Sequence, residues 1–486
     1  MGDTKTVVAS NGVTGNTLLS TLGRLNYSFK GKYLLTATVR RDGSSRFGAN
    51  NRYQTFGSIA AGWLLSEENF IKNIDFISNM KIRGSYGTTG SNDIPNFVAR
   101  PSLNPINQAF GQNLLKGVVN GDPGNVDLTW ETSKKLDIGL DLSVLNNRIN
   151  FVFDYYNNET TNLLLTKNLV TSSGYAGTLT NIGSMRNSGF EVTVSANVIK
   201  KEDFSLTIGG NVTHNKQEIL SLGGDSELFN FFGALRSPVG SELQQMRGTK
   251  AIGVVRQGDV LPAQPTAVPG DIKFQDYDKN GVIGDFLSGD GQLLGHPNLD
   301  WLYGINATVK YKNFELFTLM NGQAGGSVYD FYLIQVGTDA QAVNLSKPFW
   351  YSGRYISESQ PGDGKTPRAG ALQTGAAGVG FVSSLGVQKT DYMRIRNITL
   401  SYNIPATFSE KYGIRNARMY ASVENFYTFT NFIGGNPDAR RQSAGGPGLI
   451  GGSRLTGTSD GRELGLTSVP SLPLPRTWTF GINFSF

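Results

Sequence analysis

Apolar and polar residues alternate with a period of two through most of the chain, and its final segment shows the pattern in full. Trp478, Phe480, Ile482, Phe484 and Phe486 fall on one side of an extended backbone, while Thr477, Thr479, Gly481, Asn483 and Ser485 fall on the other. Successive strand side chains point to opposite faces of a sheet, so this segment predicts a strand with one apolar and one polar face. Leu136, Ile138, Leu140, Leu142 and Val144 repeat the pattern against Lys135, Asp137, Gly139, Asp141 and Ser143. Phe190, Val192, Val194, Ala196 and Val198 do so again. In the stretch 301–311, Trp301, Tyr303 and Tyr311 place aromatic rings at both ends of the apolar side, as membrane-interface girdles require. Weaker copies lie near 32–41, 55–65, 148–157, 204–213, 314–320, 395–404 and 417–424.

Length separates two all-β readings. Each clean stretch runs about ten residues, and a tilted membrane-barrel strand needs ~9–11 residues to cross the hydrocarbon layer. Strands of globular proteins average only ~5–6. Asp137, Asp141 and Glu191 sit in mid-strand on the polar side, which a water-filled or plugged lumen tolerates and a lipid face does not. The pattern therefore predicts an antiparallel transmembrane β-barrel segment of roughly fourteen strands over 1–486. Short turns are expected at Leu145–Arg148 and Tyr311–Phe314, and long loops near 89–128, 221–299, 325–388 and 431–475. Short connections at one end and long ones at the other are the layout of bacterial outer-membrane barrels. No apolar run reaches the ~18 residues of a membrane helix, and residues 1–20 lack the basic start and apolar core of a signal peptide.

Composition sharpens this picture. The chain holds 61 Gly, 28 Phe and 19 Tyr but only 17% charged residues, a balance suited to strands and turns. The absence of cysteine excludes thiolate metal sites and cysteine nucleophiles. A net charge of +6 is spread thinly, with only isolated pairs such as Arg40-Arg41, Lys200-Lys201 and Arg440-Arg441, so no nucleic-acid patch is expected. His214 and His296 have no evident sequence partner. The glycines of 84–90 lack a βαβ context, and those of 445–452 lack a phosphate-loop lysine. No enzyme activity and no required cofactor are expected.

Three features carry candidate chemistry. Asp276, Asp278 and Asn280 occupy the first, third and fifth positions of a calcium-type loop, with Gly281 at the turn and Val282 offering a carbonyl. The twelfth position is Leu287 rather than glutamate, so Asp285 or Asp290 would have to complete a calcium shell. The same residues also suit a plain polar turn. In the long loops, Tyr329, Tyr332, Trp350 and Tyr351, with Phe331 and Phe349 nearby, offer aromatic faces that can stack on sugar rings or peptide side chains, or pack loop against loop. The third feature is the terminal Phe486, which ends the last apolar face.

Eight stretches, in order, resemble the SusC/RagA family, the glycan- and peptide-importing branch of TonB-dependent outer-membrane transporters of Bacteroidetes-type bacteria. They are YLLTATVRRDGSSRFG (33–48), FGSIAAGWLLSEENF (56–70), KIRGSYGTTGSNDI (81–94), NSGFEVTVSANVI (187–199), PGDIKFQDYDKNGVIG (269–284), YMRIRNITLSYNIP (392–405), ASVENFYTFTNFIGGNPDA (421–439) and LPLPRTWTFGINFSF (472–486). The resemblance implies an outer-membrane location, a 22-stranded barrel enclosing a plug, energy from the TonB complex, and a SusD-like surface lipoprotein as lid. It also implies that Phe486 is an assembly signal. In that family the plug, the TonB-contacting segment and the first strands precede the part matched, so the chain corresponds to the C-terminal portion of the barrel, without a plug. Ligand would be captured under the lid, oligosaccharides and peptides fitting equally well. The rival reading is a secreted or surface all-β glycan-binding or adhesion protein without transport; strand length and Phe486 weigh against it. A passive porin shares the architecture but lacks these motifs.

Overall fold

A computed structural model of the chain describes residues 13–111, 113–175, 177–230, 235–284, 289–330, 353–368, 382–409, 411, 413–433, 435–438, 466–467 and 473–485. Thirteen strands form one sheet: β1 (Leu18–Phe29), β2 (Tyr33–Ser44), β3 (Tyr53–Leu64), β4 (Ile77–Ser91), β5 (Glu131–Val144), β6 (Ile149–Asn168), β7 (Gly177–Lys200), β8 (Phe204–Leu222), β9 (Trp301–Tyr311), β10 (Phe314–Ala324), β11 (Tyr392–Ile404), β12 (Asn416–Thr430) and β13 (Thr477–Ser485). Their order in the sheet is their order in the chain, and every neighbouring pair is antiparallel. The period of two had suggested roughly fourteen; thirteen are paired among the described residues.

Register carries the apolar set of one strand onto that of the next. Ile305 lies opposite Gly210 on β8 and Met320 on β10, and Val309 opposite Leu206 and Leu316. These side chains are left uncovered: Ile305 is 45% exposed and Phe480 75% exposed. So broad an apolar face on a barrel wall is its lipid face. Aromatic rings band it at both ends. Near the short turns, Tyr33 stacks between Phe29 and Trp63, at 6.3 and 6.2 Å, and Phe314 meets Tyr402 at 4.7 Å. Toward the long loops, Trp301 contacts His214 at 4.5 Å and Phe190 at 5.9 Å.

The hairpin turns follow from local chemistry. Leu145, Asn146 and Asn147 all take positive φ, 55, 55 and 61°, a region asparagine tolerates better than most residues. After β3, Glu68 accepts hydrogen bonds from Tyr33 Oη (2.7 Å), Trp63 Nε1 (3.1 Å) and Lys32 Nζ (3.2 Å), tying the girdle to the turn. Those three donors, Tyr33 foremost, pull the Glu68 carboxyl down to about 2.

On the opposite, polar face, Arg83 of β4 reaches Asp141 at 3.2 Å, Asp137 at 3.4 Å and Asp154 at 2.6 Å. The mid-strand carboxylates thus line the lumen with a cation among them. Gly139 makes this possible, because a Cβ there would overlap the Arg83 guanidinium.

The long connections differ from the irregular loops expected of their Gly- and Pro-rich composition. They build small sheets of their own: Leu103–Phe110 with Asn113–Asn120; Glu227–Asn230, Leu235–Pro238, Gln245–Gly248 and Gln292–Gly295; Ala251–Val254 with Ile272–Phe274; and Ser327–Asp330 between Val387–Lys389 and Leu466–Thr467. Strands of three or four residues are too short to display a period. The two clusters of buried apolar side chains lie at this end, as a crown over the wall. One cluster joins Phe47, Phe56, Ile94, Ala99, Leu128 and Trp130; a second joins Leu235, Met246, Tyr329 and Val382.

Candidate functional site

The polar face carries a hollow of about 570 Å³ across β10, β11 and β12, lined by Glu315, Phe317, Arg396, Asn397, Arg418 and Glu424 among others. Against β10 the pairing passes from Leu319–Asn397 to Met320–Ile395, so Arg396 is the extra residue of a bulge, a device that re-aims a side chain; against β12 the extra residue lies on β12. Arg396 donates to Asn425 Oδ1 at 2.8 Å, and Arg418 donates to Glu315 (3.1 Å) and Ser401 (2.6 Å). The wall therefore offers fixed charges of both signs toward the lumen.

At the crown, distant sequence motifs dock on one another. Arg46 donates to the Asn92 carbonyl (2.9 Å) and to Asn96 Oδ1 (3.0 Å), and Asn92 donates to Ser44 Oγ (3.0 Å), joining the 33–48 stretch to the 81–94 stretch. Arg394 is only 2% exposed; it donates to Thr428 (2.9 Å) and Asn436 (2.8 Å), lies 3.6 Å from Asp438, and stacks on Tyr392 at 4.6 Å. This holds the segment after β12 against the rim. Arg368 pairs with Asp271 at 2.8 Å, anchoring the start of the acidic loop.

That loop brings carboxylates together. Oxygens of Asp276, Asp278 and Asp290 lie within 4.8 Å of one another, and Asp290 is fully buried. Asp290 accepts from the Tyr277 and Gly284 backbone amides, both at 2.7 Å, and Asp276 Oδ2 from that of Gly281 at 3.0 Å. Asp276 Oδ1 is shielded from solvent without a hydrogen-bond partner. Asn280 Oδ1 accepts from the Val282 amide at 2.8 Å, and Val282 itself is exposed. Lys279 and Gly281 take φ of 57 and 83°, the sharp turn that the spacing required. Of the two acids considered to complete the set, Asp290 is the one that converges; Asp285 lies outside the described residues.

The aromatic ligand candidates fare differently. Tyr329 is 2% exposed inside the crown core, with its Oη accepting from the Ser383 amide at 3.4 Å, and burial pushes its phenol above the usual range. Its ring has no open face for a ligand, which corrects that expectation: it packs loop on loop. Tyr332, Trp350, Tyr351 and Phe486 lie outside the described residues. The histidines, read as lacking evident partners, have them. His214 Nδ1 is 2.9 Å from the Asp300 carbonyl, and His296 Nδ1 is 3.2 Å from Glu242 Oε2. Sequence separation, 54 residues between Glu242 and His296, hid that pair.

The sequence profile described as "TonB dependent receptor-like, beta-barrel" matches residues 3–251. TonB-dependent receptor P3 of Formosa agariphila is 31% identical over 100% of this chain and 47% of its own length. TonB-dependent receptor SusC of Bacteroides thetaiotaomicron is 30% identical over 88% of this chain and 42% of its own length. The chain thus spans about half the length of these curated relatives. Among solved structures, the RagAB peptide importer in its open-open state aligns over 99% of this chain and 49% of its own, with a TM-score of 0.79 at 21% identity, which establishes the shared fold. An alternating wall, an exposed apolar face banded by aromatics and these likenesses agree: the chain belongs to the TonB-dependent receptor-like β-barrel family and is an outer-membrane protein.

Proposed function

We propose that this chain forms the channel wall of a SusC-like TonB-dependent importer of oligosaccharides or peptides, working with a SusD-like lipoprotein. The observation that carries the reading is the wall itself, apolar and bare outside, charged inside, under a deep crown at one end only. Fixed ion pairs such as Arg418–Glu315 face a lumenal hollow, a polar surface of the kind a removable plug packs against. The relationship to SusC and the fold shared with a peptide importer support both substrate classes. The partners follow the same logic: TonB acts through a plug, and the lipoprotein covers the crown. Disrupting the gene in source cells should abolish uptake of one labelled class, oligosaccharide or peptide, and affinity-tagged protein in detergent should carry a surface lipoprotein at equal stoichiometry. Unchanged uptake of both classes, together with release of the protein from cells without detergent, would leave the secreted-adhesin reading standing.

Within the crown, the Asp276, Asp278, Asn280 and Asp290 loop is proposed as a structural calcium site. Converging carboxylates, the partnerless Asp276 Oδ1 and the hard-oxygen donor set support it. Calcium would stiffen the loop and serve no chemical step. Asp276→Ala with Asp278→Ala should lower the melting temperature in calcium and leave it unchanged in chelator. Identical melting of the parent protein in calcium and in chelator removes the site.

A further inference from the structure

Three side chains from separate parts of the crown converge where its four-stranded sheet meets the barrel rim. Glu242 lies in the turn between Leu235–Pro238 and Gln245–Gly248, His296 follows the strand Gln292–Gly295, and Asp300 immediately precedes β9. One donor atom from each, two carboxylate oxygens and an imidazole nitrogen, lies within 4.8 Å of the other two, and all three residues are half-buried. None of them has a part in the transport reading.

The arrangement is held in place before any ligand arrives. The Asp300 amide donates to the Ala324 carbonyl (3.1 Å), and its own carbonyl accepts from the Asn215 amide (3.1 Å). Gly325, at φ +94°, leaves room for the Asp300 carboxylate; a Cβ there would overlap it. Asn298 Nδ2 donates to Glu242 Oε2 (3.3 Å) and to the Leu243 carbonyl (3.1 Å). The His296 carbonyl accepts from the Ser327 amide (2.7 Å), and its Nδ1 lies 3.1 Å from the Asn298 carbonyl. Hydrogen bonds thus hold the Asp300 backbone and the Glu242 and His296 head groups.

We infer that Glu242, His296 and Asp300 bind a divalent cation of the zinc class, with water in the open fourth position. Zinc takes imidazole nitrogen and carboxylate oxygen at ~2.0–2.2 Å, which sets tetrahedral donors roughly 3.3 Å apart. Glu242 Oε2 and His296 Nδ1 already stand 3.2 Å apart, and the Asp300 carboxylate lies within 4.8 Å of both residues' donor atoms. Calcium takes six to eight oxygens and gains nothing from an imidazole, so this site is chemically distinct from the Asp276 loop. A bound ion ties the 239–244 turn, the end of the 292–295 strand and the start of β9 to one point, clamping the crown to the wall.

The test uses protein isolated from outer membranes in detergent, with calcium kept at millimolar concentration throughout. After a zinc-selective chelator is applied and removed, zinc is titrated calorimetrically, and trypsin cleavage of the crown is followed with and without zinc. One equivalent of saturable binding and slower cleavage with zinc are expected. Binding should weaken at least about tenfold in Glu242→Gln, His296→Asn and Asp300→Asn, each checked for an intact barrel by heat-modifiable migration. Absence of stoichiometric zinc binding by the parent protein overturns the inference, whatever the variants do. So does parent-like binding by folded His296→Asn. Neither result bears on import, which is scored separately by uptake.

Discussion

Trp130→Ala tests whether the crown is anchored by a core of its own. Trp130 is 3% exposed and packs on Phe47 at 5.2 Å and Phe56 at 5.8 Å, beside the fully buried Leu128. Its Nε1 donates to the Arg52 carbonyl at 3.2 Å. A buried aromatic of this kind removes ~150–250 Å² from water, worth about 4–6 kcal/mol as an upper bound at ~25 cal/mol per Å². Core truncations of Trp or Phe to Ala cost about 3–5 kcal/mol once partial collapse is included. The ladder of the wall is untouched, so the loss falls on local opening of the 92–130 connection. Trypsin has a target there at Lys116, and others at Arg46 and Arg52 in the facing loop; the bond after Arg100 precedes Pro101 and resists it. Where opening is fast relative to cleavage, cleavage tracks the open population, so the rate should rise by about two to four orders of magnitude. Trp130→Phe keeps most of the packing and loses one hydrogen bond, about 1 kcal/mol, and should stay within about tenfold of the parent. If Trp130→Ala in a folded barrel is cleaved within about threefold of the parent rate, the core does not hold the crown.

Further predictions concern the wall and its turns. Ile305→Arg places a charge on the lipid face and should destabilise the protein in vesicles by about 2–4 kcal/mol, whereas Asn306→Arg, one residue on and facing the lumen, should cost under about 1 kcal/mol; guanidinium unfolding in lipid reads both. Glu68 is held at about 2, below its ordinary 4.5, so its contribution to stability is complete above 4.5 and is lost as pH falls from there through 2. Stability of the parent should therefore drop over that window more steeply than that of Glu68→Gln, and parallel profiles would remove Glu68 as the anchor of its turn.

The wall was legible because a barrel strand repeats one simple rule over many residues. Trp301–Tyr311 and Thr477–Ser485 have lipid on one side and lumen on the other, so every position reports its face. The turn at 145–148 was legible through its asparagines. The crown was not, for physical reasons: most of its strands, such as Ile272–Phe274, are too short for a period, its eight-residue pair Leu103–Phe110 and Asn113–Asn120 does not alternate cleanly, and its contacts join distant segments. Asp276, Asp278 and Asn280 could be picked out because a loop's donors sit close in sequence, and Asp290 only as one of two ways to complete them. Tyr329 shows the opposite limit. An aromatic residue in a Gly-rich stretch looks like a ligand platform, and only the packing of Leu235, Met246 and Val382 around it reveals a core residue. The partner of His296 was invisible because it arrives from a turn of another strand pair.

The central claim is that one face of this sheet meets lipid and the other the lumen. The cysteine-free sequence allows a direct measurement. Single cysteines placed in turn along Trp301–Tyr311, spin-labelled in lipid vesicles, report collision with oxygen dissolved in the bilayer and with a water-soluble nickel chelate. Oxygen accessibility should peak at the odd positions, with Ile305 at a maximum, and chelate accessibility should be out of phase with it at the even ones. Equal chelate accessibility at odd and even positions would mean that the apolar face meets water, and the barrel account would be wrong.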